Sequence, residues 1–390
     1  MRDTVMIVGL DNISPGVSTS PAGVGGMRPY LLDMVRHLPI AMPWVRFKLF
    51  TPAWNNEFGD LPPNVEIVCC NLVAKARPLR VLYEQMVLPQ IIRRNQVDVW
   101  IGMHNVIPLF LRCKTVLIIQ SLQYFSQPGS YRVMRRLYLR LLTGLCARRA
   151  DHVIALSEHA REQATAYLGA KEDSITVIYN RLPHLHLPQP NPRPIEREQP
   201  FILCVSALYR YKNFFRLIEA LARVPQPLSS LHLVIVGGDT KELSRAELRK
   251  FAGETGLAHR VHCPGRVEPA ELARYYQTAT ALVLPTLDET FGLPVLEAMH
   301  FGCPVITSNT GSVAELGKGA AVLVDPLSVD SIAEGIAKVV LDKALAEQIR
   351  ERGLARTKEF SLERMIRGFQ MLLDSVDAAD RPYASAGAAK

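Results

Sequence analysis

The chain has 390 residues, of which 48% are hydrophobic and 21% charged, and its formal net charge is +8. This composition excludes a disordered or fibrous protein, and the length allows two domains with cores of their own. The seven cysteines are scattered without a Cys-x-x-Cys pair, which argues against a disulfide framework and against a zinc site. We therefore expect a globular protein of a reducing cytoplasm.

Short apolar runs alternate with helical patterns along the first half of the chain. The first run, residues 4–10, is too short for a signal peptide and predicts the first strand, and no run reaches transmembrane length. An amphipathic helix is predicted over residues 29–38. Further strands are predicted at residues 46–51, 65–70, 98–103, 115–120 and 152–157.

A proline-rich segment separates the two halves, since residues 183–200 contain six prolines and little periodicity. Beyond it, strands are predicted at residues 201–206, 231–237, 261–265, 281–286, 304–308 and 320–325, and helices at residues 213–224, 269–279, 331–341 and 361–376. This alternation predicts an α/β protein with two doubly wound, Rossmann-like domains. The predicted division is a first domain at 1–185, a linker at 186–200, a second domain at 201–360 and a flexible tail at 379–390.

The positive charge belongs to the first half. Residues 1–190 hold 21 Lys and Arg against 13 Asp and Glu, whereas residues 191–390 hold 24 of each. A basic domain indicates an anionic partner such as a nucleic acid, a phosphorylated lipid or an acidic membrane surface. A generally basic, solvated surface would have the same composition.

The most informative segment is residues 288–307, DETFGLPVLEAMHFGCPVIT, which follows one predicted strand and ends in another. Pro294 suits the first turn of a helix, and Gly302 suits its end. A loop and helix N-terminus at the carboxyl end of a parallel strand favour a phosphate. Glu289 and Glu297 would be repelled by that phosphate, so we expect them to accept hydrogen bonds from sugar and ribose hydroxyls.

This segment resembles the signature of the family-four retaining glycosyltransferases of the GT-B fold. The resemblance implies two Rossmann-like domains facing each other across a cleft, with a C-terminal helix, here residues 361–378, crossing back to the first domain. It implies that Glu289 holds the transferred sugar and Glu297 the nucleotide ribose. It also implies that the backbone of the turn faces the donor, which adds Phe291, Gly292, Leu293 and Pro294 to the site.

A basic turn follows the first strand of the second domain. Lys212 and Asn213 match a Lys-Asn pair of the same family, whose lysine reaches the donor diphosphate. A fixed ammonium would stabilise the charge that grows on a departing diphosphate. Tyr211 stands where the family often has arginine, so Arg210 is the candidate for a second cation, with an ordinary surface residue as the alternative.

The first domain offers further candidates. Gly25 and Gly26 precede a predicted helix and resemble the family's Gly-Gly loop, which meets the donor phosphates and the acceptor. The family often has a His-Asp pair after a later strand, but this chain has Gln120 and Ser121 there. Gln120 can hydrogen-bond a sugar but cannot shuttle a proton. His104 and Asn105 follow another strand and are candidates for the acceptor side, although a lone histidine there is more often structural.

Residues 131–149 are rich in arginine, with Leu and Tyr between the arginines at helical spacing. Such a helix could lie in a membrane interface. We favour the other interpretation, a packed helix with a solvated basic face, while lipid-linked acceptors of related enzymes keep peripheral contact with an anionic membrane in view.

The sequence thus predicts a cytoplasmic hexosyltransferase, acting free or at the inner face of the membrane in polysaccharide, lipopolysaccharide or glycolipid synthesis. Its donor is predicted to be a nucleotide diphosphate sugar, with GDP-mannose favoured over a UDP-sugar by similarity to bacterial mannosyltransferases, and its acceptor a carbohydrate or a lipid-linked one. No metal or other cofactor is expected to be required, and the oligomeric state is left open. The alternatives are a nucleotide-sugar epimerase of the same fold and a basic nucleic-acid-binding protein, which the lack of basic-aromatic motifs disfavours.

Overall fold

A computed structural model describes residues 5–13, 27–52, 58–72, 77–182 and 200–379. Gly25, Gly26, nearly all of the linker predicted at 186–200 and the tail after residue 379 lie outside these described residues. The described chain forms two compact units. The first comprises the described residues up to Leu122, together with Leu137–Arg181 and the chain from Leu362, and the second comprises Gln123–Arg136 and the described residues of Leu182–Ser361.

The first unit is built on a parallel sheet of seven strands in the order β3-β2-β1-β4-β5-β6-β7. Its strands are β1 (Met6–Asp11), β2 (Val45–Pro52), β3 (Val65–Cys70), β4 (Val99–Gly102), β5 (Lys114–Ile119), β6 (His152–Ala155) and β7 (Ile175–Val177). The helices along this part of the chain are α1 (Met27–Ala41), α2 (Arg77–Met86), α3 (Leu88–Arg94), the short α4 (Gln123–Ser126), α5 (Val133–Arg149) and α6 (Glu158–Gln163).

The second unit contains a parallel sheet of six strands in the order β10-β9-β8-β11-β12-β13. The strands are β8 (Phe201–Val205), β9 (His232–Val236), β10 (Val261–Gly265), β11 (Ala281–Leu284), β12 (Val305–Ser308) and β13 (Val322–Val324). The helices are α7 (Phe214–Arg223), α8 (Arg245–Glu254), α9 (Pro269–Thr278), α10 (Leu293–His300), α11 (Gly311–Gly317), α12 (Val329–Leu341) and α13 (Lys343–Thr357), and the chain ends in α14 (Leu362–Ala379).

The burial of the central strands explains why apolar runs in the sequence predict them. Every residue of β4, β11 and β12 is buried, because helices cover both faces of a parallel sheet and require continuous apolar runs. Trp100 of β4 packs edge-on against Phe50 of β2, with ring centroids 5.0 Å apart. The predicted strands are all present, and β7, a strand of three residues, was missed because so short a run has no recognisable pattern.

Two segments belong to a different unit from the one that precedes them along the chain. Helix α14 belongs to the first unit, where the ring of Phe369 lies 6.5 Å from that of Tyr30 and Gln370 donates to the Ala41 carbonyl. Residues Gln123–Arg136, which the sequence assigned to the first domain, group instead with the second unit. None of the helices in the described residues is long and apolar enough to cross a membrane.

In each sheet the strand order reverses direction at one point. In the first sheet this point lies between β1 and β4, and in the second between β8 and β11. At such a point the loops after the two neighbouring strands diverge and leave a crevice at their carboxyl ends. The loops that carry Lys212 and Glu289 follow β8 and β11, so the second sheet places both residues at its crevice.

Gly237, which follows β9, lies close to the backbone that follows β8, and a substitution can test this contact. A methyl group on Gly237 would come within 1.7 Å of the Ser206 carbonyl oxygen, so Gly237→Ala must displace the backbone after β8. We expect this variant to lower the free energy of unfolding by about 1–3 kcal/mol, as overpacking does in cores. Urea unfolding followed by circular dichroism measures the change.

Gly253→Ala is the matched control, because its added methyl group meets nothing within 4 Å near the end of α8. Alanine in a helix should leave stability unchanged or raise it by up to about 1 kcal/mol. Equal stability of the two variants would contradict the close approach of β9 to Ser206.

Candidate functional site

Lys212 is held in place by the turn that leaves β8. Arg210–Lys212 form a single 3-10 turn, and Asn213 closes it in the left-handed region with a φ of 67°. The Asn213 side-chain amide donates to the carbonyls of Pro285 at 2.9 Å and Pro326 at 2.6 Å. These bonds tie the turn to the loops after β11 and β13, so the position of Lys212 is set by three strands.

Glu289 meets Lys212 from the loop after β11. The two side chains form an ion pair, and they are only 8% (Lys212) and 18% (Glu289) exposed. The Glu289 carbonyl accepts a hydrogen bond of 2.6 Å from Ser312 at the start of α11. The Leu287 amide donates to the Tyr211 carbonyl at 2.8 Å, which fixes the two loops to each other. A buried ammonium beside one carboxylate can take a second anion that displaces or joins it.

The same loop contains a buried acid that the sequence did not single out. Asp288 accepts a hydrogen bond from the Ser126 hydroxyl, and its carbonyl accepts one of 2.8 Å from Thr286. Ser126 lies at the end of α4, 162 residues earlier in the chain. No motif could have found this contact, because it depends on which segment lies beside the loop.

Helix α10 starts beside this ion pair. Gly292 precedes it with a φ of 106°, and a methyl group there would lie 2.8 Å from Val313 of α11, so only glycine fits. Leu293 and Pro294 form its first turn, and among the described residues no side chain caps it. Phe291 is buried and packs edge-on against Phe360, with centroids 6.0 Å apart. Uncapped amides at a helix N-terminus are a ready site for an anion.

Glu297 lies deeper than the sequence suggested. It is the fifth residue of α10 rather than a residue at its start. Its carboxylate accepts a hydrogen bond of 2.7 Å from the hydroxyl of Tyr276, a fully buried residue of α9. Burial raises the pKa of Glu297, and the Tyr276 hydrogen bond partly opposes that rise. The two glutamates of the motif therefore have different partners and different environments.

Arg210 is not brought to the ion pair. Its guanidinium lies 3.7 Å from Glu247 of α8 and 5.8 Å from the centre of the Phe215 ring, and its side chain is 61% exposed. This is the environment of the surface residue that the sequence offered as the alternative.

The candidates of the first unit follow the neighbouring strands β4 and β5. Asn105 lies in the left-handed region at a φ of 61°. Its side-chain oxygen accepts a hydrogen bond of 2.6 Å from the Gln120 backbone N–H, and its side-chain nitrogen donates one of 2.6 Å to the Ser121 carbonyl. The structure therefore brings Asn105 and Gln120 together after β4 and β5. Burial lowers the pKa of the neighbouring His104 to about 4, so its imidazole is neutral at neutral pH.

Among the described residues no group of three or more His, Cys, Asp and Glu side chains is arranged to hold a metal ion. The thiol of Cys204, at the end of β8, has a pKa that burial raises to about 12 against the opposing charge of Lys212. That cysteine is therefore an inert core residue at neutral pH.

Comparison with family models identifies both halves of the chain. Residues 188–356 match the model described as "Glycosyl transferases group 1", and residues 24–182 match "Glycosyltransferase Family 4".

Two curated relatives share part of the sequence. The O-antigen chain mannosyltransferase RfbU of Salmonella typhimurium is 29% identical over 57% of this chain and 59% of its own length. The GDP-mannose-dependent alpha-(1-6)-phosphatidylinositol monomannoside mannosyltransferase of Mycobacterium tuberculosis is 32% identical over 37% of this chain and 40% of its own length. The chain thus spans about three-fifths or less of the length of these relatives.

Solved structures confirm the GT-B fold. Sucrose-phosphate synthase from Thermosynechococcus elongatus superposes with a TM-score of 0.77 at 19% identity, covering 96% of this chain and 100% of that one. Anabaena HepE, solved with UDP and glucose, gives a TM-score of 0.72 at 21% identity, covering 95% and 100%. At these identities the likeness establishes the architecture alone.

The environment of Glu297 leads to a prediction on stability. Because the folded chain raises its pKa above the usual value near 4.5, the folded state holds this proton more tightly than the unfolded chain. The associated stability is complete below pH 4.5 and is lost as the pH rises through the folded pKa. We therefore expect Glu297→Gln, without ligand, to melt at a higher temperature than wild type at pH 7, with the difference shrinking towards pH 4.

Tyr276→Phe is the counterpart, because it leaves the Glu297 carboxylate without its donor and should lower the melting temperature at pH 7. Scanning calorimetry of the three proteins across this pH range measures both effects. A Glu297→Gln variant less stable than wild type at pH 7 would show that the carboxylate is not destabilised by burial.

Proposed function

We propose, from the premise that this chain belongs to the family-four glycosyltransferases, that it transfers a hexose from a nucleotide diphosphate sugar to a carbohydrate or lipid-linked acceptor. The observation that carries the proposal is the buried Lys212–Glu289 pair at the switch point of the second sheet. Neither the epimerase nor the nucleic-acid-binding alternative is favoured by the family models or the relatives.

The donor would occupy the crevice after β8 and β11. Its diphosphate would lie at the uncapped N-terminus of α10 within reach of Lys212, where amide groups and an ammonium favour negative charge. Glu289 would accept hydrogen bonds from the hydroxyls of the transferred sugar, and Glu297 from the ribose. Phe291 and Gly292 would shape the turn so that its backbone can approach the donor.

Donor binding would then exchange the partner of Lys212. In the free chain its ammonium is neutralised by Glu289, and a diphosphate carries more negative charge than one carboxylate. Transfer of Lys212 to the diphosphate would release Glu289 for the sugar. Lys212 would be paired with an anion before and after binding, and Glu289 would exchange its ion pair for hydrogen bonds from the sugar hydroxyls.

The chemistry would proceed with retention of configuration. The bond between the sugar's anomeric carbon and the diphosphate oxygen breaks, and the acceptor oxygen bonds to that carbon on the same face through an oxocarbenium-like state. The acceptor proton passes to the departing diphosphate. Lys212 would stabilise the charge on this leaving group more in the transition state than in the ground state, and we propose that no divalent ion is required.

GDP-mannose is the favoured donor and mannose the favoured transferred sugar, since curated relatives include mannosyltransferases, one of them named as GDP-mannose-dependent. A UDP-sugar is the second candidate, because HepE was solved with UDP and glucose. On the acceptor side, Asn105 and Gln120 carry side-chain amides just beyond the carboxyl ends of β4 and β5. The Gln120 side-chain nitrogen is buried without a hydrogen-bond partner among the described residues, which suits a sugar hydroxyl. His104 stays a candidate there, and Gly25 and Gly26 stay candidates for contacting the donor phosphates.

The acceptor is proposed to belong to cell-surface polysaccharide or glycolipid synthesis, as the names of the relatives indicate for those proteins. The corresponding place of action is the cytoplasm, with the protein free or at the inner face of the membrane.

A donor panel tests this function. Purified protein is titrated calorimetrically with GDP-mannose, UDP-glucose and dTDP-glucose, and slow hydrolysis of each is followed by release of the nucleoside diphosphate. We expect GDP-mannose to bind most tightly. Lys212→Ala should lower the rate of donor cleavage by about 100-fold or more, as loss of a charge-stabilising group does elsewhere.

Arg210→Ala is the matched control, since it removes a nearby cation that faces Glu247 instead of Glu289. It should retain donor cleavage within about tenfold of wild type. Binding of no nucleotide sugar, or equal losses in the two variants, would refute the assignment of the diphosphate to Lys212.

A further inference from the structure

Helix α5 presents an apolar side to solvent. Leu137, Leu141 and Leu145 are 60%, 64% and 44% exposed, and their spacing of four residues places them in one row. Tyr138, beside this row, is also exposed. A single exposed leucine is common on protein surfaces, but a row of them on one helix is not explained by the fold of the unit.

The packed side of α5 has the opposite character. Thr143, Cys146 and Ala147 are buried, so small side chains lie against the unit while the larger apolar ones face outwards. The sequence favoured a packed helix with a solvated basic face. The helix does pack and Arg148 and Arg149 are exposed, but its exposed side also carries the apolar row.

A loop bonded to α5, and helix α2 bonded to that loop, carry further exposed apolar side chains. The loop at residues 107–111 is bonded to α5 through Cys146 and Arg149, and to α2 through Gln85. Phe110, within this loop, is 76% exposed. On α2, Leu79, Leu82 and Met86 are exposed as well. We refer to the exposed side chains of these three elements as the α5 surface: Leu79, Leu82, Met86, Phe110, Leu137, Tyr138, Leu141 and Leu145.

The charged residues of α5 and of the loop bonded to it are all basic. Arg148 and Arg149 are exposed in the last turn of α5, and Arg112 is exposed after the loop. Residues 101–150 contain no Asp or Glu at all, and Glu84, the one acid of α2, is buried. An apolar row on a helix whose charged residues are all arginines is the composition of a helix that lies in a membrane interface.

We propose that the α5 surface docks this chain on a bilayer rich in anionic lipids. The leucines and Phe110 would enter the boundary between headgroups and acyl chains, while the arginines would contact lipid phosphates. A second copy of the chain fits less well, because a twofold interface would bring the same arginines of both copies together without an acid to pair them. This docking concerns a different surface from the donor site and does not depend on the proposed donor or acceptor.

Vesicle co-sedimentation tests the proposal with the full chain. Vesicles of phosphatidylcholine and phosphatidylglycerol in about a 2:1 ratio are compared with pure phosphatidylcholine, at low salt and at about 0.5 M salt. We expect binding to the anionic vesicles at low salt, weakened by salt and by removal of phosphatidylglycerol. The combined Leu137→Gln, Leu141→Gln and Leu145→Gln variant should bind about tenfold more weakly or worse.

The control carries the same chemical change elsewhere. Leu323, Leu327 and Leu341 of the second unit are 42%, 65% and 52% exposed, so their combined change to Gln should leave vesicle binding intact. Phe110→Ser provides a milder second variant, expected to weaken binding without touching a helix. Circular dichroism checks the fold of each protein, and light scattering checks its oligomeric state.

Failure of the wild type to bind anionic vesicles at low salt would overturn the proposal, and so would an equal loss of vesicle binding in both triple variants. It would also be overturned if the wild type were a dimer, the α5 triple variant were a monomer and neither protein bound vesicles. The last outcome would assign the surface to self-association. Donor cleavage in detergent-free solution should be unchanged in the α5 triple variant, which separates this test from that of the donor site.

Discussion

Lys212 and Glu289 carry opposite charges that are both largely withdrawn from water, and in the free chain each neutralises the other. Their contact arises from the topology of the second sheet. Strands β8 and β11 are neighbours at the point where strand order reverses, so the loops after them start side by side. A residue from each loop can then meet although 77 positions separate them in the chain.

The surrounding contacts serve to hold this pair. Asn213 adopts a left-handed conformation and binds two proline carbonyls, which fixes the turn of Lys212. Ser312 holds the backbone of Glu289, and Gly292 lets α11 approach the start of α10. These bonds set the geometry in advance of any ligand. A preorganised cation beside free helix amides costs little reorganisation when charge develops on a leaving group.

Much of this arrangement was predictable from the sequence, because fully buried parallel strands read as continuous apolar runs. The motif around Glu289 and Glu297 was also readable, since its residues are consecutive. The partners of these residues were not. Tyr276 binds Glu297 from the preceding helix and Ser126 binds Asp288 from a distant segment, and both contacts depend on which elements are neighbours in space.

Helix α5 shows a different limit. Leucines and arginines occur on several sides of it, so periodicity did not determine which side would pack, and the small residues Thr143, Cys146 and Ala147 decided it. Arg210 was similarly undecided from the sequence. Its side chain points towards Glu247 and not towards Glu289, because a 3-10 turn directs the side chains of Arg210 and Lys212 to different sides.

The exchange of Lys212 from Glu289 to a diphosphate is the central claim, and a crystal structure with an intact nucleotide sugar tests it most directly. The predicted result is a Lys212 Nζ about 2.7–3.2 Å from a diphosphate oxygen, with the Glu289 carboxylate at the same range from a hydroxyl of the transferred sugar. A bound donor whose diphosphate lies elsewhere, with the Lys212–Glu289 contact intact, would contradict it.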